Sequence, residues 1–91
     1  MKEDLLKIIN HYGVMKQLKY FQSEVFELNE AIIQYENTDT MNKKHIAEEI
    51  ADVLVMLHQF KEHYGISDEE IVSTMIYKKD RQLKRIENEE R

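Results

Sequence analysis

Two acidic pairs are the residues of this sequence best suited to chemistry. Glu24 and Glu27 are three positions apart in the segment SEVFELNEAI, and Glu49 and Asp52 are three positions apart in AEEIADVLVML. Residues at i and i+3 share one face of an α-helix, so each pair presents two carboxylates together. Both pairs are embedded in apolar, helix-periodic sequence, where an unpaired charge is costly to bury. The pairs therefore need a compensating partner.

Each pair lies at a similar angle beside the apolar stripe of its own helix. At about 100° per residue, the first stripe consists of Val14, Leu18, Phe21, Val25, Leu28 and Ile32, and the second of Ile46, Ile50, Val53, Leu57 and Phe60. We predict that Glu24 and Glu49 lie roughly 60–80° from the centres of these stripes. If the two helices pack antiparallel, the pairs fall within about one helical turn of the same level, and four carboxylates converge.

Four converging carboxylates predict a divalent metal site. An ionised group removed from water without a partner costs several kcal/mol, and a hard cation removes that cost. Oxygen-only ligand sets are typical of Mg²⁺ and also suit Mn²⁺. The predicted metal ligands, which are also the predicted catalytic residues, are Glu24, Glu27, Glu49 and Asp52. The alternative is a solvated helix face, because 34% of the residues are charged; the matched geometry of the two pairs favours the metal site.

A basic segment near the C-terminal end is the second chemical signal. Lys78, Gln82 and Arg85 are spaced by four and three residues, so they share one helix face. Arginine binds phosphate bidentately and lysine binds it as a point charge, so beside a metal site we predict substrate binding by this face. Taken alone, the segment is better explained as a salt-bridged surface whose cations favour the end of a helix. Gln17 and Tyr20, on the helix of Glu24, are further candidate substrate-binding residues.

Helices must position all of these groups. The 91 residues contain no proline and two glycines, so we predict a single all-α domain over residues 1–91, a four-helix, bundle-like arrangement of one short and three longer helices. The predicted helices are 1–12, Val14–Glu36, Lys43–His63 and Asp68–Asn88, with a turn at NTDTM. Gly13 and Gly65 are expected to end helices, and Ser67-x-x-Glu70 is a capping box that begins the last one.

Apolar residues exceed what one small domain can enclose. The second and third helices carry an additional apolar strip, composed of Met15, Phe26 and Ile33 in one and of Ala47, Ala51, Leu54 and Val55 in the other. The predicted buried side of the fourth helix is Ile71, Val72, Met75, Ile76, Leu83 and Ile86. A helix that is apolar on two sides is buried on two sides, so we predict a homo-oligomer, dimer or tetramer. The alternative is a monomer with one apolar surface patch.

Composition excludes several other classes of function. The net charge of −5 argues against a nucleic-acid polymer as the partner. The absence of cysteine excludes disulfides and thiol chemistry. No apolar run is long enough for a signal peptide or a membrane span, so we expect a cytoplasmic protein without a membrane partner.

The whole pattern resembles the MazG-like all-α nucleoside triphosphate pyrophosphohydrolases. Glu24-x-x-Glu27, a gap of 21 residues, Glu49-x-x-Asp52 and then the basic segment give this resemblance, which extends from about Gln17 to Arg85. It implies a helical bundle assembled from dimers, with Mg²⁺ held by the four carboxylates. It also implies hydrolysis of a (d)NTP to a (d)NMP and pyrophosphate. Because a carboxylate that is hydrogen-bonded to the attacking water can act as general base, we predict that role for Glu24 or Glu27. Where many members carry Asn, this chain carries Gln82.

Three alternatives to this function stay open on the sequence. Phosphoribosyl-ATP pyrophosphohydrolases have a similar size and a similar acidic pattern, and dUTP-specific relatives have a similar fold. A different class is a non-enzymatic helical module that oligomerises or binds a partner through its additional apolar strip. Such a module would not be stabilised by Mg²⁺.

Overall fold

Four α-helices make up the described part of the chain. The computed structural model describes residues 1–38 and 43–89. Its helices are α1 (Lys2–Tyr12), α2 (Val14–Thr38), α3 (Lys43–His63) and α4 (Asp68–Glu89), and these ranges contain no strand. The all-α prediction is confirmed, and the largest boundary difference is at α2, which was predicted to end at Glu36. Most of the predicted NTDTM turn, residues 39–41, lies outside the described residues. None of the four helices is long and apolar enough to span a membrane.

The helix ends follow from local sequence. Gly65 has φ +67°, its N–H donates to Glu62 O at 3.2 Å, and the Ile66 N–H donates to Lys61 O at 3.1 Å. These two bonds form a Schellman motif, in which a residue in the left-handed region satisfies the last carbonyl groups of the helix. Ser67 Oγ then accepts the Glu70 N–H at 3.1 Å, as expected for an N-cap. The helix-ending glycine and the N-cap that were predicted between α3 and α4 are therefore both present.

Helices α2 and α3 pack antiparallel, with α1 against both. Gln17 bonds to Gln59 at one level, and the rings of Phe21 and Phe60 meet edge to face at the next, with centroids 5.7 Å apart. Glu24 then lies beside residues earlier in α3. Glu24 follows Gln17 by two turns in α2, whereas its neighbours Glu49 and Asp52 precede Gln59 in α3, which is the antiparallel arrangement that the acidic pairs require.

The packed face of α2 is rotated from the prediction. Its buried residues are Gln17, Glu24 and Ala31, at intervals of seven, whereas Leu18, Val25 and Ile32 are each 40% exposed. On α3 the buried residues include Met56 and Gln59, whereas Ile50 and Leu57 are exposed. Glu24 therefore lies at the centre of the packed face and not 60–80° from it. The apolar stripes inferred from the sequence are only partly buried in the single chain, and none of their residues is fully buried.

Helix α4 packs against none of the other three helices within the described chain. The burial predicted for its apolar side is wrong for the single chain, because Val72, Met75, Ile76 and Leu83 are all more than half exposed. The polar link to α3 is the ion pair between Lys61 Nζ and Asp68 Oδ1, at 2.9 Å. The basic face on α4 is thus carried on a helix that extends away from the packed unit.

Candidate metal centre

Three carboxylates from two helices converge at one point. Glu24 of α2 and Glu49 and Asp52 of α3 each offer an oxygen, and these atoms all lie within 4.8 Å of one another. Glu24 is 5% exposed and the Glu49 side chain is 13% exposed, whereas Asp52 opens to solvent. The i, i+3 spacing on α3 and the antiparallel packing of α2 bring these groups together. The spacing of oxygen donors suits a single hard divalent cation.

Two of these carboxylates have an oxygen with no partner. Among the described residues, neither Glu24 Oε2 nor Glu49 Oε2 has a hydrogen-bond partner, although both atoms are buried. A buried acceptor without a donor carries its full desolvation cost, which makes such atoms rare in folded proteins. A cation between the three carboxylates would satisfy both oxygens. The donor set therefore fits Mg²⁺ or Mn²⁺ on an observation that is independent of the sequence motif.

The electrostatic surroundings disfavour the ionised form of Glu49. Burial raises the pKa of its carboxyl above the ordinary value of 4.5, and the charges of Glu27 and Asp52 raise that pKa further. His45, whose Nε2 is 4.0 Å from Glu49 Oε1, acts in the opposite direction. The cluster therefore holds more negative charge than its own residues neutralise.

Glu27 lies at the open side of the cluster. It is exposed and is not one of the three residues whose oxygens meet within 4.8 Å. Its charge nevertheless raises the pKa of Glu49 and that of Tyr20, so it contributes to the same field. Of the four predicted ligands, the structure brings three into one group and leaves Glu27 at its rim.

Tyr20 is attached to the cluster through Glu24. A hydrogen bond from its hydroxyl to the Glu24 carboxylate, followed by the negative charge of that carboxylate, raises the pKa of Tyr20 above 10.0. Tyr20 as a whole residue is 55% exposed. A hydroxyl that donates to a ligating carboxylate orients that carboxylate, as outer-shell partners do in metal sites.

An open cavity of about 670 Å³ adjoins the carboxylates. Glu24 and Asp52 form part of its wall, and α1, α2 and α3 all contribute to it. Gln17, a predicted substrate-binding residue, lies in the wall at 6% exposure and bonds through Nε2 to Gln59 Oε1 at 2.8 Å. The cavity falls within the usual size range of ligand sites, about 300–1,000 Å³.

The structure does not bring the basic face of α4 to this cavity within one chain. Lys78, Gln82 and Arg85 are exposed, and the Arg85 guanidinium donates to Gln82 Oε1 at 3.4 Å. None of the three is in the cavity wall. The cations that do lie there are Lys16 and Lys19, on the N-terminal half of α2.

Several lining residues escaped the sequence analysis. They are Ile8, Tyr12, Lys16, Lys19, Met56 and Gln59. The sequence contains a spacing that could have identified Gln59. Gln59 follows Asp52 by seven residues, just as Gln17 precedes Glu24 by seven. Seven residues are two helical turns, so each amide shares a face with a carboxylate. No comparable signal marked Tyr12 or Lys16, which look like ordinary surface residues.

The comparisons with known proteins identify one family model. The model of the MazG nucleotide pyrophosphohydrolase domain matches residues 13–86. The match includes both acidic pairs and the basic face of α4, whereas α1 precedes it. The comparison with curated proteins gave no significant match, and the comparison with solved structures gave none.

Proposed function

The chain belongs to the MazG nucleotide pyrophosphohydrolase family, and from this premise we propose that it hydrolyses a nucleoside triphosphate to the monophosphate and pyrophosphate with Mg²⁺. The observation that carries the proposal is the group of Glu24, Glu49 and Asp52, with its two buried and unpartnered oxygens. Such a group is too unfavourable electrostatically to be a packing device. It is suited to hold a cation that also contacts phosphate.

The three converging carboxylates would hold the metal. Glu24 and Glu49 supply the buried oxygens and Asp52 supplies one at the cavity wall. A bound Mg²⁺ or Mn²⁺ would supply positive charge at the phosphate oxygens and so would make the α-phosphorus more electrophilic. The Tyr20 hydroxyl, which interacts with the Glu24 carboxylate, would help to orient that carboxylate.

Glu27 is the residue that we assign as general base. It lies at the rim beside the other acids but is exposed, so it can reach a water molecule without leaving a packed position. It would take a proton from water as the water oxygen bonds to the α-phosphorus. The bond from that phosphorus to the bridging oxygen breaks, and pyrophosphate leaves. Lys19, which lies in the wall of the same cavity, would neutralise negative charge on the phosphates.

We further propose that the active assembly is a homo-oligomer. Helix α4 presents an exposed apolar side, and α2 and α3 present exposed apolar residues such as Val25, Phe26 and Leu54. An isolated helix of 22 residues derives little stability from propensity alone, so α4 needs a packing surface. The basic residues of α4 complement the acidic cluster of another copy. In this arrangement, Lys78 and Arg85 of one chain bind the phosphates held by its neighbour.

The test is pyrophosphate release from a panel of standard and modified NTPs and dNTPs, with Mg²⁺ or with EDTA. We expect metal-dependent release from at least one of them, at rates that rank the bases. Glu49→Gln and Asp52→Asn should each abolish release, because each removes a ligand charge. Glu48→Gln is the matched control: Glu48 is exposed and adjacent in sequence, so this variant should retain full activity.

Two results would contradict the proposed function. Release that is unaffected by both Glu49→Gln and Asp52→Asn would place the chemistry elsewhere. No release from any triphosphate, together with no rise in melting temperature on adding Mg²⁺, would instead favour a non-enzymatic helical module.

A further inference from the structure

We propose that the cavity beside the carboxylates is a nucleobase pocket, and that the buried amide pair Gln17–Gln59 recognises the hydrogen-bonding edge of the base. The inference rests on the proposed function, because it identifies the part of the substrate that fills the cavity. It adds a binding role for Gln59, on α3, and for α1. The residues of α1 precede the segment that the family model matches.

The amide pair is buried without enough partners. Gln17 and Gln59 are 6% and 2% exposed, and both lie in the cavity wall. Gln17 Nε2 donates to Gln59 Oε1 at 2.8 Å, and the Nε2 atoms of Gln17 and Gln59 lie 4.0 and 3.7 Å from Met56 Sδ. A thioether is a weak acceptor, and the Gln17 carbonyl oxygen has no partner among the described residues. The pair therefore keeps hydrogen-bonding capacity that a ligand in the cavity would satisfy.

The remaining wall suits a flat, largely apolar ring. Ile8 and Tyr12 from α1 face the cavity together with Val55 and Met56 from α3. Lys16 Nζ lies 5.3 Å from the centroid of the Tyr12 ring and so supports one side of that ring. Bases stack on aromatic side chains regardless of their identity, and Met adapts to different ring sizes. A polar edge in an apolar slot is the complement of a base and not of a sugar, whose hydroxyl groups point in all directions.

The position of the pair fits the proposed reaction. Gln17 precedes Glu24 by two helical turns, which separates their backbones by about 10 Å along α2. Because Glu24 and Gln17 border the same cavity, a base at the amide pair directs its 5′ substituent towards the carboxylates. The interval leaves room for a sugar between the two. The cavity therefore accepts a nucleotide in one orientation only.

The pair should bind bases generally and exclude substrates that lack one. If both side-chain amides rotate by 180°, so that oxygen and nitrogen exchange places, the hydrogen bond between the two residues is preserved. The donor and the acceptor that face the cavity then exchange positions. Either state matches an edge that carries a donor next to an acceptor, and all standard bases have such an edge. Removing both amides should weaken base binding about 10- to 100-fold for every base, through KM and not kcat.

The experiment uses nucleosides without phosphate, in EDTA, with the ε-methyl group of Met56 observed by ¹³C NMR. Adenosine, guanosine, cytidine and uridine should each shift this resonance saturably. The double variant Gln17→Leu/Gln59→Leu leaves no amide without its partner, so it should fold, as its melting temperature will show, and bind nucleosides at least tenfold more weakly. Gln34→Leu is the matched control on the exposed surface of α2 and should bind like the unmodified chain.

The outcomes separate this inference from the proposed function. Nucleoside binding at Met56 without any pyrophosphate release would keep the base pocket and remove the enzymatic function. Pyrophosphate release with an unmoved Met56 signal would overturn the base pocket and leave the reaction standing. Equal nucleoside affinity in the folded double variant would also overturn it, as would equal KM for a nucleoside triphosphate and for the same compound without its base.

Discussion

Glu49 has surroundings that oppose its own charge. It is largely buried, it faces Glu24, Glu27 and Asp52, and one of its oxygens has no hydrogen-bond partner among the described residues. Folding without a cation therefore carries a cost in desolvation and charge repulsion at Glu49. A residue of this kind lowers the stability of the metal-free fold, and its carboxylate would be compensated when a cation binds. Functional sites commonly have such a cost in stability.

The first prediction is that Glu49→Gln stabilises the metal-free protein. In EDTA at neutral pH, its melting temperature should exceed that of the unmodified chain by a few degrees, because an amide removes the repulsion. The pKa of Glu49 is raised on folding, so between pH 4.5 and the raised value the native state binds more protons than the unfolded state. The free energy of unfolding of the unmodified chain therefore falls as pH rises through this window.

The difference between the two proteins is accordingly expected to vanish towards pH 4.5 and to be largest at neutral pH. Thermal melts in EDTA across this range measure it. Glu48→Gln, the exposed neighbour, should show no such pH-dependent gain. A destabilised Glu49→Gln protein at neutral pH would mean that the carboxylate is satisfied in the metal-free fold.

The second prediction concerns Tyr20→Phe. Loss of the hydroxyl removes the donor to Glu24 and leaves that carboxylate free to turn away from the cluster. Mg²⁺ should then bind about tenfold more weakly, which is the usual cost of removing an outer-shell partner. A Mg²⁺ titration of the melting temperature, or Mn²⁺ binding followed by electron paramagnetic resonance, measures the change.

Tyr64→Phe supplies the control for this measurement, since Tyr64 lies exposed beyond the end of α3. Unchanged metal affinity in Tyr20→Phe would show that the hydroxyl does not orient Glu24. Its role would then be limited to lining the cavity, where the aromatic ring remains in both proteins.

At the scale of elements, the two glycines that end α1 and α3 both have positive φ but adopt different backbone conformations. Gly65 has φ +67° and a Schellman motif, whereas Gly13 has φ +89° with ψ 150°. The first conformation is left-handed helical, which Asn also adopts at modest cost. The second is an extended mirror-image region that is essentially restricted to glycine. An added Cβ meets no atom within 4 Å at either site, so only the backbone decides.

The third prediction follows from this difference. Gly65→Ala should lower the free energy of unfolding by about 1 kcal/mol, and Gly65→Asn by less. At Gly13, Ala and Asn should be equally unfavourable, at about 1–3 kcal/mol each. Urea unfolding of the four variants gives the comparison. If Asn rescued Gly13 as well as it rescues Gly65, the backbone there would be left-handed helical in solution.

The sequence predicted helix positions better than helix faces. Capping residues such as Ser67 and Gly65 act locally, so they placed α3 and α4 correctly. The packed face of α2 was misplaced because its buried centre carries Gln17 and Glu24, while apolar Leu18 and Val25 are exposed. Hydrophobic periodicity reports every apolar surface, whether it is covered by the same chain or by another. Polar residues that line a site therefore shift the apparent face of their helix.

The convergence of three of the four carboxylates could be predicted from their i, i+3 spacing once antiparallel packing of the two helices was assumed. The cavity could not, because it depends on how α1 lies over the other two helices. No local signal relates Ile8 or Tyr12 to Gln59, and tertiary packing alone brings them together. The position of the basic face relative to the acids was likewise beyond the sequence, since it depends on where α4 packs.

The whole molecule is more extended than a compact chain of its length. Its radius of gyration is 16.5 Å and its dimensions are 50 × 36 × 21 Å, whereas a compact domain of 91 residues has a radius of about 12 Å. The excess comes from α4, which packs against no other described helix. A helix in this position leaves its apolar side in water, which is unfavourable unless a second copy covers it.

The fourth prediction tests whether α4 completes the site of another chain. Asp52→Asn removes a proposed metal ligand and Arg85→Ala removes a proposed phosphate contact, so each homo-oligomer should be inactive or strongly impaired. In a mixed dimer, the chain that keeps Asp52 receives Arg85 from its neighbour, and one of the two sites is intact. Random pairing of equal amounts should therefore restore about one quarter of the unmodified activity.

The measurement is pyrophosphate release after the two variants are unfolded together and refolded. For comparison, the same variants are refolded apart and assayed in one tube under conditions in which subunits do not exchange. Lys79→Ala, which lies next to the basic face, replaces Arg85→Ala in the control pairing. In this control pairing, the Lys79→Ala chain keeps all of its site residues, so its homodimers are active. The pairing of Asp52→Asn with Arg85→Ala contains no active homodimer. Activity confined to the co-refolded pair of Asp52→Asn and Arg85→Ala requires α4 to cross between chains. If co-refolding restored no activity above that of the separately refolded variants, each chain would fold α4 onto its own acidic cluster in solution, and the extended arrangement would then not be the active one.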